Sequence, residues 1–285
     1  MAEATIDPGT EMGAVRLRVA DLDAVRGFYE RVIGLETIEA GGETARLGVG
    51  GHTLVELVSA PEASPRPPRT TGLFHLAILV PDRPRLGNAL GRIAAAEWGL
   101  TGASDHLVSE ALYTRDPEGN GIEIYRDRPR EEWREVNGEL AMDSLPLDLA
   151  AIEAEAEGSG PMADGTRMGH VHLNVADIPD SDAFYSGVLG FEPKVRSYPG
   201  ALFVAAGGYH HHLGLNTWIG EGAPAPEPGS LGLESFEVIV PGAAEVDAIA
   251  GRLEEAGLGV EPTDGGVKAA DPSSNVVEVR ASQRS

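Results

Sequence analysis

The segment GGYHHHLGLNTW, residues 207–218, carries three consecutive histidines in front of a strand-like stretch. Imidazole side chains can ligate a metal ion or carry a proton near neutral pH. In a β-strand, adjacent side chains point to opposite faces, so three successive histidines cannot all face one cavity. The alternation therefore predicts that at most two of His210, His211 and His212 serve a single site.

Cysteine is absent from the 285 residues, so a bound metal would have histidine and carboxylate ligands, which favour the harder divalent ions. The formal net charge is −23 at pH 7. Such a charge repels the phosphates of nucleic acids and anionic membrane surfaces, which bind clustered Lys and Arg. We therefore predict neither a nucleic-acid nor a membrane partner.

The composition, 42% hydrophobic and 24% charged, is typical of a globular protein, and the length allows two ordinary domains. The opening residues MAEATIDPGTEMG lack a basic segment followed by an apolar one, and no apolar run approaches roughly 18 residues. We expect a cytoplasmic protein.

The elements that must position the histidines are visible in an internal repeat. MGAVRLRVADLDAVRGFYERVIGLE (residues 12–36) and MGHVHLNVADIPDSDAFYSGVLGFE (residues 168–192) align without a gap. Each predicts a strand, an N-capping Asp and an amphipathic helix that ends at Gly. Weaker copies begin at GLFHLAILVPDRPRLGNALGRI and GLESFEVIVPGAAEVDAIAGRL. The chain thus predicts an α+β protein of four β-α-β-β-β modules.

The segments between modules have the composition of linkers. PEASPRPPRT and EGAPAPEPGS are Pro-rich and polar, hence extended and exposed. A longer connection contains LDLAAIEAEAEG, which predicts an acidic helix with a solvated face. We predict a first domain at residues 10–128 (modules 1 and 2), a linker at 129–167 and a second domain at 168–283 (modules 3 and 4).

Two of the modules share a closing signature, DPEGNGIEIYRD and DPSSNVVEVRAS. Together with the Val-x-Asp and Phe-Tyr pattern, these motifs resemble the vicinal oxygen chelate superfamily of glyoxalases, bleomycin-resistance proteins and extradiol dioxygenases. TGLFHLAILVPDR, DHLVSEALYTRDPEGNGIEIYRDRP and GGYHHHLGLNTW are most similar to the two-domain bacterial catechol-2,3-dioxygenases. The resemblance implies that modules pair into two cup-shaped half-barrel sheets, with a metal held by their first and last strands.

The family's metal-ligand positions can be transferred to each module in turn. On the first strands they fall on Ala14, His75, His170 and Ser235. On the closing strands they fall on Glu56, Glu123, a site near Gly214, and Glu278. Histidine therefore occupies the first-strand ligand position only in modules 2 and 3.

This distribution distinguishes between pairings of modules. If module 2 pairs with module 3, His75, His170 and Glu123 form one 2-His-1-carboxylate triad, the arrangement of non-haem Fe(II) oxygenases. Pairing in sequence order leaves each cup one histidine short. We therefore predict an active cup from modules 2 and 3, which holds Fe²⁺ or Mn²⁺, and a structural cup from modules 1 and 4.

The resemblance also implies roles for residues around the metal. Tyr113, ten residues before the ligand glutamate, would hydrogen-bond the substrate, and His211 would be the acid–base histidine. His106 is a catalytic candidate, although it lies two residues closer to the tyrosine than the family spacing. His172 shares a strand face with His170 and is predicted to line or support the site. By alternation, His210 and His212 would lie opposite His211 and contact the cup wall or the neighbouring strand, unless a bulge in the strand exchanges these roles.

The implied reaction is extradiol cleavage of catechol, or of a small substituted catechol, by dioxygen to a 2-hydroxymuconic semialdehyde-type product. One alternative is a glyoxalase-type isomerase or lyase, which usually has a fourth protein ligand where this chain has Leu213-Gly214. Another is a non-catalytic, bleomycin-resistance-like binding protein, in which the triad would be unexplained. The partners would be a small aromatic diol and dioxygen, and a homo-oligomer is left open.

Overall fold

Each repeat of the sequence folds as one strand, one helix and three further strands. The computed structural model describes residues 4–282. Chain contacts divide it into two units. The first unit contains residues 16–64 and 75–169, and the second contains residues 4–15, 65–74 and 170–282 of the described chain. Within these described residues, no helix is long and apolar enough to cross a membrane.

Module 1 begins with the alternating sequence that the repeat predicted as a strand. Its elements are β1 (Glu11–Val19), α1 (Leu22–Phe28), β2 (Glu36–Gly41), β3 (Thr44–Val49) and β4 (His52–Ser59). The side chain of Asp21 accepts a hydrogen bond from the backbone N–H of Ala24 and so caps α1. A π-helical turn, Tyr29–Ile33, extends the helix to Gly34, which adopts a left-handed φ of 89° and ends it.

Module 2 repeats this order. Its elements are β5 (Gly72–Leu79), α2 (Arg83–Ala95), β6 (Gly102–Asp105), β7 (Ser109–Arg115) and β8 (Gly121–Asp127). The closing strand β8 pairs in parallel with β5 and antiparallel with β7. In the second of these pairings, Tyr113 stands directly opposite Glu123. The register therefore puts both side chains on one face of the sheet.

The connection after module 2 is only partly helical. Its elements are a 3₁₀ turn (Arg130–Glu132), β9 (Glu135–Val136), β10 (Glu139–Leu140), β11 (Leu145–Pro146) and α3 (Leu149–Ala154). The acidic helix expected here is therefore short. Glu155 and Glu157 lie beyond its end and form ion pairs with Arg83 and Arg85 of α2.

The second unit holds module 4 and, from His170 onwards, module 3. Module 3 contains β12 (Arg167–Asn174), α4 (Ile178–Asp182), a π-helical turn (Ala183–Val188), β13 (Glu192–Val195), β14 (Ala201–Ala205) and β15 (Leu213–Asn216). Module 4 contains β16 (Gly232–Val240), α5 (Ala243–Glu255), β17 (Glu261–Thr263), β18 (Gly266–Ala270) and β19 (Val276–Ala281). In each, the closing strand pairs in parallel with the first. The α+β class and the four-module organisation are confirmed.

The Phe-Tyr motif of one module meets the Asp-Pro turn of the next. Tyr185 donates a hydrogen bond of 2.9 Å to the Asp271 carboxylate, and both are buried. Burial, followed by the negative charge of Asp271, raises the pKa of Tyr185 well above its usual value. In the first unit, burial and then the charge of Asp116 raise the pKa of Tyr29 in the same way. The two sequence signatures therefore interact in both units, through a hydrogen bond at Tyr185 and electrostatically at Tyr29.

An arginine from the even-numbered modules caps the helical segment of the odd-numbered ones. Arg92 Nε of α2 donates to the carbonyl of Ile33 at 3.1 Å. Arg252 Nε of α5 donates to the carbonyl of Val188 at 2.7 Å. Helix ends leave carbonyl groups without an internal donor, and these guanidinium groups supply one.

Candidate metal centre

Two of the predicted ligands lie side by side on paired strands of module 2. His75 is on β5 and Glu123 is on β8, with 6% and 2% of their surfaces exposed. Nε2 of His75 is 2.9 Å from a carboxylate oxygen of Glu123. Two ligands at right angles around one metal, each about 2.1 Å from it, would be about 3 Å apart. The spacing therefore suits a shared ion as well as it suits a direct ion pair.

The third predicted ligand, His170, is on β12 in module 3 and is 2% exposed. The strand reads His-Val-His-Leu-Asn, so His170 and His172 share one face. The ring of His170 lies 4.2 Å from the ring of His211, measured between centroids. The predicted ligand thus has the predicted acid–base histidine as its neighbour.

The candidate ligand atoms of His75, Glu123 and His170 all lie within 4.8 Å of one another. Two imidazoles and a carboxylate are the donor set of facial-triad sites, which leave further coordination positions for exogenous ligands. All three residues are buried, so their donors face little competition from water. The residues therefore fit a divalent metal of the first transition row, and the group implies a metal.

The glutamates at the corresponding positions of modules 1 and 4 have cationic neighbours. Glu56 is 3.0 Å from a guanidinium nitrogen of Arg16. Glu278 is 3.2 Å from Arg280 and 3.3 Å from the ammonium of Lys268. A carboxylate balanced by Arg or Lys is a poor partner for a dication.

Tyr113 and His106 form one hydrogen-bonded unit beside His75. The ring of Tyr113 lies 5.6 Å from that of His75, and its hydroxyl oxygen is 2.6 Å from Nε2 of His106. Nδ1 of His106 is 2.7 Å from the backbone carbonyl of Asp143. A carbonyl can only accept, so Nδ1 carries the proton of a neutral imidazole and Nε2 accepts from Tyr113. The irregular spacing of His106 thus does not separate it from the tyrosine.

The predicted alternation of the three histidines is wrong. Gly207 and Gly208 take left-handed φ values of 60° and 73°, and β15 begins only at Leu213. The histidines therefore precede the strand and do not follow its two-residue period. His210 and His211 lie together rather than on opposite faces, with their Nδ1 atoms 2.8 Å apart.

His212 and His172 have different surroundings from this pair. Nδ1 of His212 accepts a hydrogen bond from the backbone N–H of Ala206 at 3.1 Å, which ties the segment to the end of β14. The ring of His172 lies 5.1 Å from Phe74 and 5.4 Å from Trp218. Phe74 and Trp218 carry no recognisable signal in the sequence, since an apolar ring beside a histidine has no characteristic spacing.

Comparison with known proteins agrees with this architecture. The family described as the glyoxalase/bleomycin resistance protein/dioxygenase superfamily matches residues 11–124 and 167–279. The chain belongs to this superfamily. A member from Bacillus subtilis (strain 168), named catechol-2,3-dioxygenase, is 41% identical over 278 residues, which are 95% of this chain and 96% of the relative. The resemblance predicted from the motifs is confirmed.

Solved structures with the same fold align with nearly the whole chain. A structure from Bacillus subtilis subsp. subtilis strain 168 matches with a TM-score of 0.66 and 12% identity, covering 99% of this chain and 87% of that one. Glyoxalase I from Zea mays matches with a TM-score of 0.60 and 18% identity, covering 95% and 92%. At these identities the likeness concerns the fold alone.

Proposed function

We propose that this protein is an Fe(II)-dependent extradiol dioxygenase that cleaves catechol, or a small substituted catechol, to a 2-hydroxymuconic semialdehyde-type product. The observation that carries the proposal is the buried His75, Glu123 and His170 group, whose donor atoms lie within 4.8 Å of one another. It occurs in a chain 41% identical to a protein named catechol-2,3-dioxygenase. This donor set and this relative together favour ring cleavage over other chemistry of the superfamily.

The active cup in this proposal is built by modules 2 and 3. In support of this pairing, His75 on β5 of module 2 and His170 on β12 of module 3 both belong to the described group of metal-ligand candidates. The cation-paired Glu56 and Glu278 support a structural role for the cup of modules 1 and 4.

His75, Glu123 and His170 would hold Fe²⁺, and the same ligands could hold Mn²⁺. Such a metal would bind the diol and dioxygen together and would mediate the transfer of electrons between them. The side chains of the protein would bind and orient the diol, exclude water and transfer the protons of the diol.

His211 is the proposed base for a diol hydroxyl, because it lies 4.2 Å from the ligand His170 in ring-centroid distance. To take a proton at Nε2, a neutral His211 must carry its own hydrogen on Nδ1. That hydrogen then points at Nδ1 of His210, 2.8 Å away. His210 would hold His211 in the tautomer whose Nε2 carries no hydrogen, and the protonated His211 would later return the proton as an acid.

Tyr113 and His106 are proposed to act on the other diol oxygen. Since the phenol donates to Nε2 of His106, the Tyr113 oxygen can act toward a substrate hydroxyl only as an acceptor. A proton received there can continue to His106 as the phenol gives up its own. Tyr113 is then a relay as well as a hydrogen-bonding partner for the developing charge.

The isomerase alternative has less support from the side chains present. The position in module 3 where a fourth ligand would stand is Gly214, and the pairing partner of Gly214 on β12 is His172. No carboxylate belongs to the described metal-ligand group besides Glu123.

The test is anaerobic reconstitution with Fe(II), followed by catechol and air. We expect stoichiometric iron, oxygen uptake and a yellow ring-fission product. His75→Ala and His170→Ala should each abolish iron binding, whereas Glu278→Ala should retain it. Iron binding without oxygen consumption on any catechol would refute the reaction, and loss of iron in Glu278→Ala with retention in His75→Ala would refute the choice of cup.

A further inference from the structure

A cavity of about 870 Å³ lies between the helical segments of modules 1 and 2 and the end of the connection that follows them. Its walls come from α1, the π-helical turn Tyr29–Ile33, α2 and residues 159–161, which all belong to the first unit. None of the residues that line it belongs to the metal-ligand group. Cavities of this size typically hold small organic molecules. The cavity is therefore a candidate binding site with residues of its own.

Two aromatic rings form part of the apolar wall of this cavity. The ring centroids of Phe28 and Trp98 are 4.9 Å apart, and the ring planes meet at 54°. Phe28 is buried, whereas Trp98 is 37% exposed. The indole N–H of Trp98 donates to the carbonyl of Arg115 at 2.9 Å, which fixes the orientation of the ring. A fixed and partly exposed indole offers a surface on which a flat ring can pack at low entropic cost.

The wall also contains a buried charge, the guanidinium of Arg92, of which 7% is exposed. Its Nε donates to the carbonyl of Ile33 at 3.1 Å, its Nη1 to the carbonyl of Gly160 at 2.6 Å and its Nη2 to the sulfur of Met162 at 3.4 Å. All three acceptors are neutral, and in the described part of the chain no carboxylate lies at ion-pairing distance from Arg92. Burial lowers the pKa of the guanidinium to about 10, so it stays charged at neutral pH. A buried charge without a counter-ion is unfavourable, and an anion bound in the cavity would offset that cost.

The equivalent arginine of module 4 does have a counter-ion. Arg252 of α5 caps the helical segment of module 3 as Arg92 caps that of module 1, and it lies 3.8 Å from a carboxylate oxygen of Glu245. The helices α2 and α5 each contain 13 residues, and when they are aligned Arg85 occupies the position of Glu245. The carboxylate that module 4 supplies from its own helix is therefore replaced by a cation in module 2.

The remaining charges around the cavity also favour an anion. Arg31 is a second lining cation and is exposed. Among the described lining residues Glu30 is the only carboxylate, and it accepts a hydrogen bond of 2.6 Å from the hydroxyl of Thr37. The cavity thus has a local excess of positive charge in a chain whose net charge is −23. A small anion is attracted to this part of the surface rather than repelled.

We propose that this cavity is a binding site for a small aryl carboxylate. The ring of the ligand packs against Phe28 and Trp98, and its carboxylate pairs with Arg92. Nη1 and Nη2 of Arg92 each carry two hydrogens and each has one described acceptor, so a hydrogen of each remains for a carboxylate oxygen. Aromatic pairs gain from offset and edge-to-face contacts that an aliphatic chain does not provide, so the wall favours a flat ring. The inference does not depend on the proposed function.

Fluorine NMR tests the proposal without turnover. The protein is titrated with 4-fluorobenzoate and, separately, with the neutral 4-fluorobenzamide. We expect a saturable shift with the carboxylate and at least about ten-fold weaker binding of the amide, because only the carboxylate neutralises Arg92. Displacement of 4-fluorobenzoate should need less benzoate than hexanoate. Absence of a saturable shift, equal binding of the amide or tighter binding of hexanoate would each overturn the assignment of an aryl carboxylate.

Substitutions on α2 locate the bound probe. Ala95 lines the cavity and is exposed, so Ala95→Phe should fill part of it and weaken 4-fluorobenzoate binding by at least about ten-fold. Ala94→Phe is the matched control, because Ala94 is an exposed neighbour on the same helix that does not line the cavity, and its affinity should be unchanged. Undiminished affinity in Ala95→Phe would mean that the probe binds elsewhere and would overturn the site.

A variant of the arginine tests the charge pairing separately. Arg92→Lys keeps the positive charge but loses the paired donors, so it should weaken 4-fluorobenzoate binding by about ten-fold and leave binding of the amide nearly unchanged. Circular dichroism of each variant confirms that it is folded before the titration. Equal losses for the carboxylate and the amide would show that Arg92 only supports the fold of the cavity wall. Because the readout is binding, its outcome is independent of whether the protein cleaves catechol.

Discussion

Nε2 of His106 and the hydroxyl oxygen of Tyr113 lie 2.6 Å apart, the length of a strong hydrogen bond. The backbone carbonyl of Asp143 fixes the tautomer from the other side of the ring. Asp143 belongs to the connection that follows module 2, so this segment orients a side chain of the candidate site. A pair held in this way should act as one unit.

Tyr113→Phe and His106→Ala should each lower kcat on catechol by about 10²-fold, the lower end of general acid–base contributions. Because the two residues share one proton path, the double variant should be no more than a few-fold slower than either single variant. Oxygen uptake at saturating catechol measures all three. His52→Ala, an exposed histidine on β4, is the control and should keep full activity. Multiplicative losses in the double variant would show that the residues act independently.

The contact between His210 and His211 predicts that His210 affects catalysis, whereas His212 affects mainly stability. His210→Ala removes the acceptor for the Nδ1 hydrogen of His211, so kcat should fall about ten-fold or more while iron binding is retained. His212→Ala removes the acceptor for the N–H of Ala206 and should cost about 1–2 kcal/mol of unfolding free energy with a smaller effect on kcat. Steady-state kinetics and urea unfolding distinguish the two. A larger loss of kcat in His212→Ala would contradict the assignment.

The sequence predicts the modules well because their signals are local and repeated. Asp21 and Asp177 follow strands of clear alternation, and each caps its helix as expected. Glu123 and Tyr113 are predicted from the family resemblance, and the register of β7 against β8 places them directly opposite each other. Regular periods therefore predict most of the fold, whereas the resemblance supplies the candidate ligands.

The histidine segment shows where that reasoning fails. Two glycines with positive φ interrupt the pattern at positions 207 and 208, so the strand period does not extend over His210–His212. Local sequence does not indicate how many residues such a turn consumes before the strand resumes. The carbonyl that orients His106 comes from Asp143, which is 37 residues away in a connection of irregular structure. Long-range contacts of this kind leave no spacing to recognise.

Asp116 should give the protein a measurable pH dependence of stability. Burial is the main cause that raises the pKa of this carboxyl from 3.8 to about 6, against hydrogen bonds from Asn120 and Glu118 that favour the ionised form. A raised pKa means that folding favours the protonated carboxyl, so its stabilisation is complete below the unfolded pKa and is lost as pH rises through the folded pKa. Between pH 5 and pH 7.5 this contribution should fall by about 1 kcal/mol.

Urea unfolding of the wild type and of Asp116→Asn at both pH values tests this expectation. The other carboxylates titrate in both proteins, so the difference between the two proteins isolates Asp116. We expect Asp116→Asn to be less destabilising, relative to wild type, at pH 7.5 than at pH 5. An equal difference at the two pH values would show that Asp116 is ionised throughout.

Arg92 and Arg252 cap equivalent helix ends but should differ in their contributions to the free energy of unfolding. Arg92 is 7% exposed, and it donates to the carbonyls of Ile33 and Gly160 at 3.1 and 2.6 Å. Burial lowers the pKa of its guanidinium to about 10. Its replacement leaves buried carbonyls without a donor, whereas the side chain of Arg252 is 25% exposed and water can take its place.

Arg92→Met should therefore lower the unfolding free energy by about 2–3 kcal/mol, and Arg252→Met by about 1 kcal/mol. Urea unfolding followed by circular dichroism, with midpoints compared at one pH, measures both. Arg85→Met is the control for loss of a positive charge, since the Arg85 side chain is 35% exposed and pairs with Asp82 and Glu157 on the surface. That variant should change stability by less than about 0.5 kcal/mol. Equal losses in Arg92→Met and Arg252→Met would mean that burial of the guanidinium does not set its contribution.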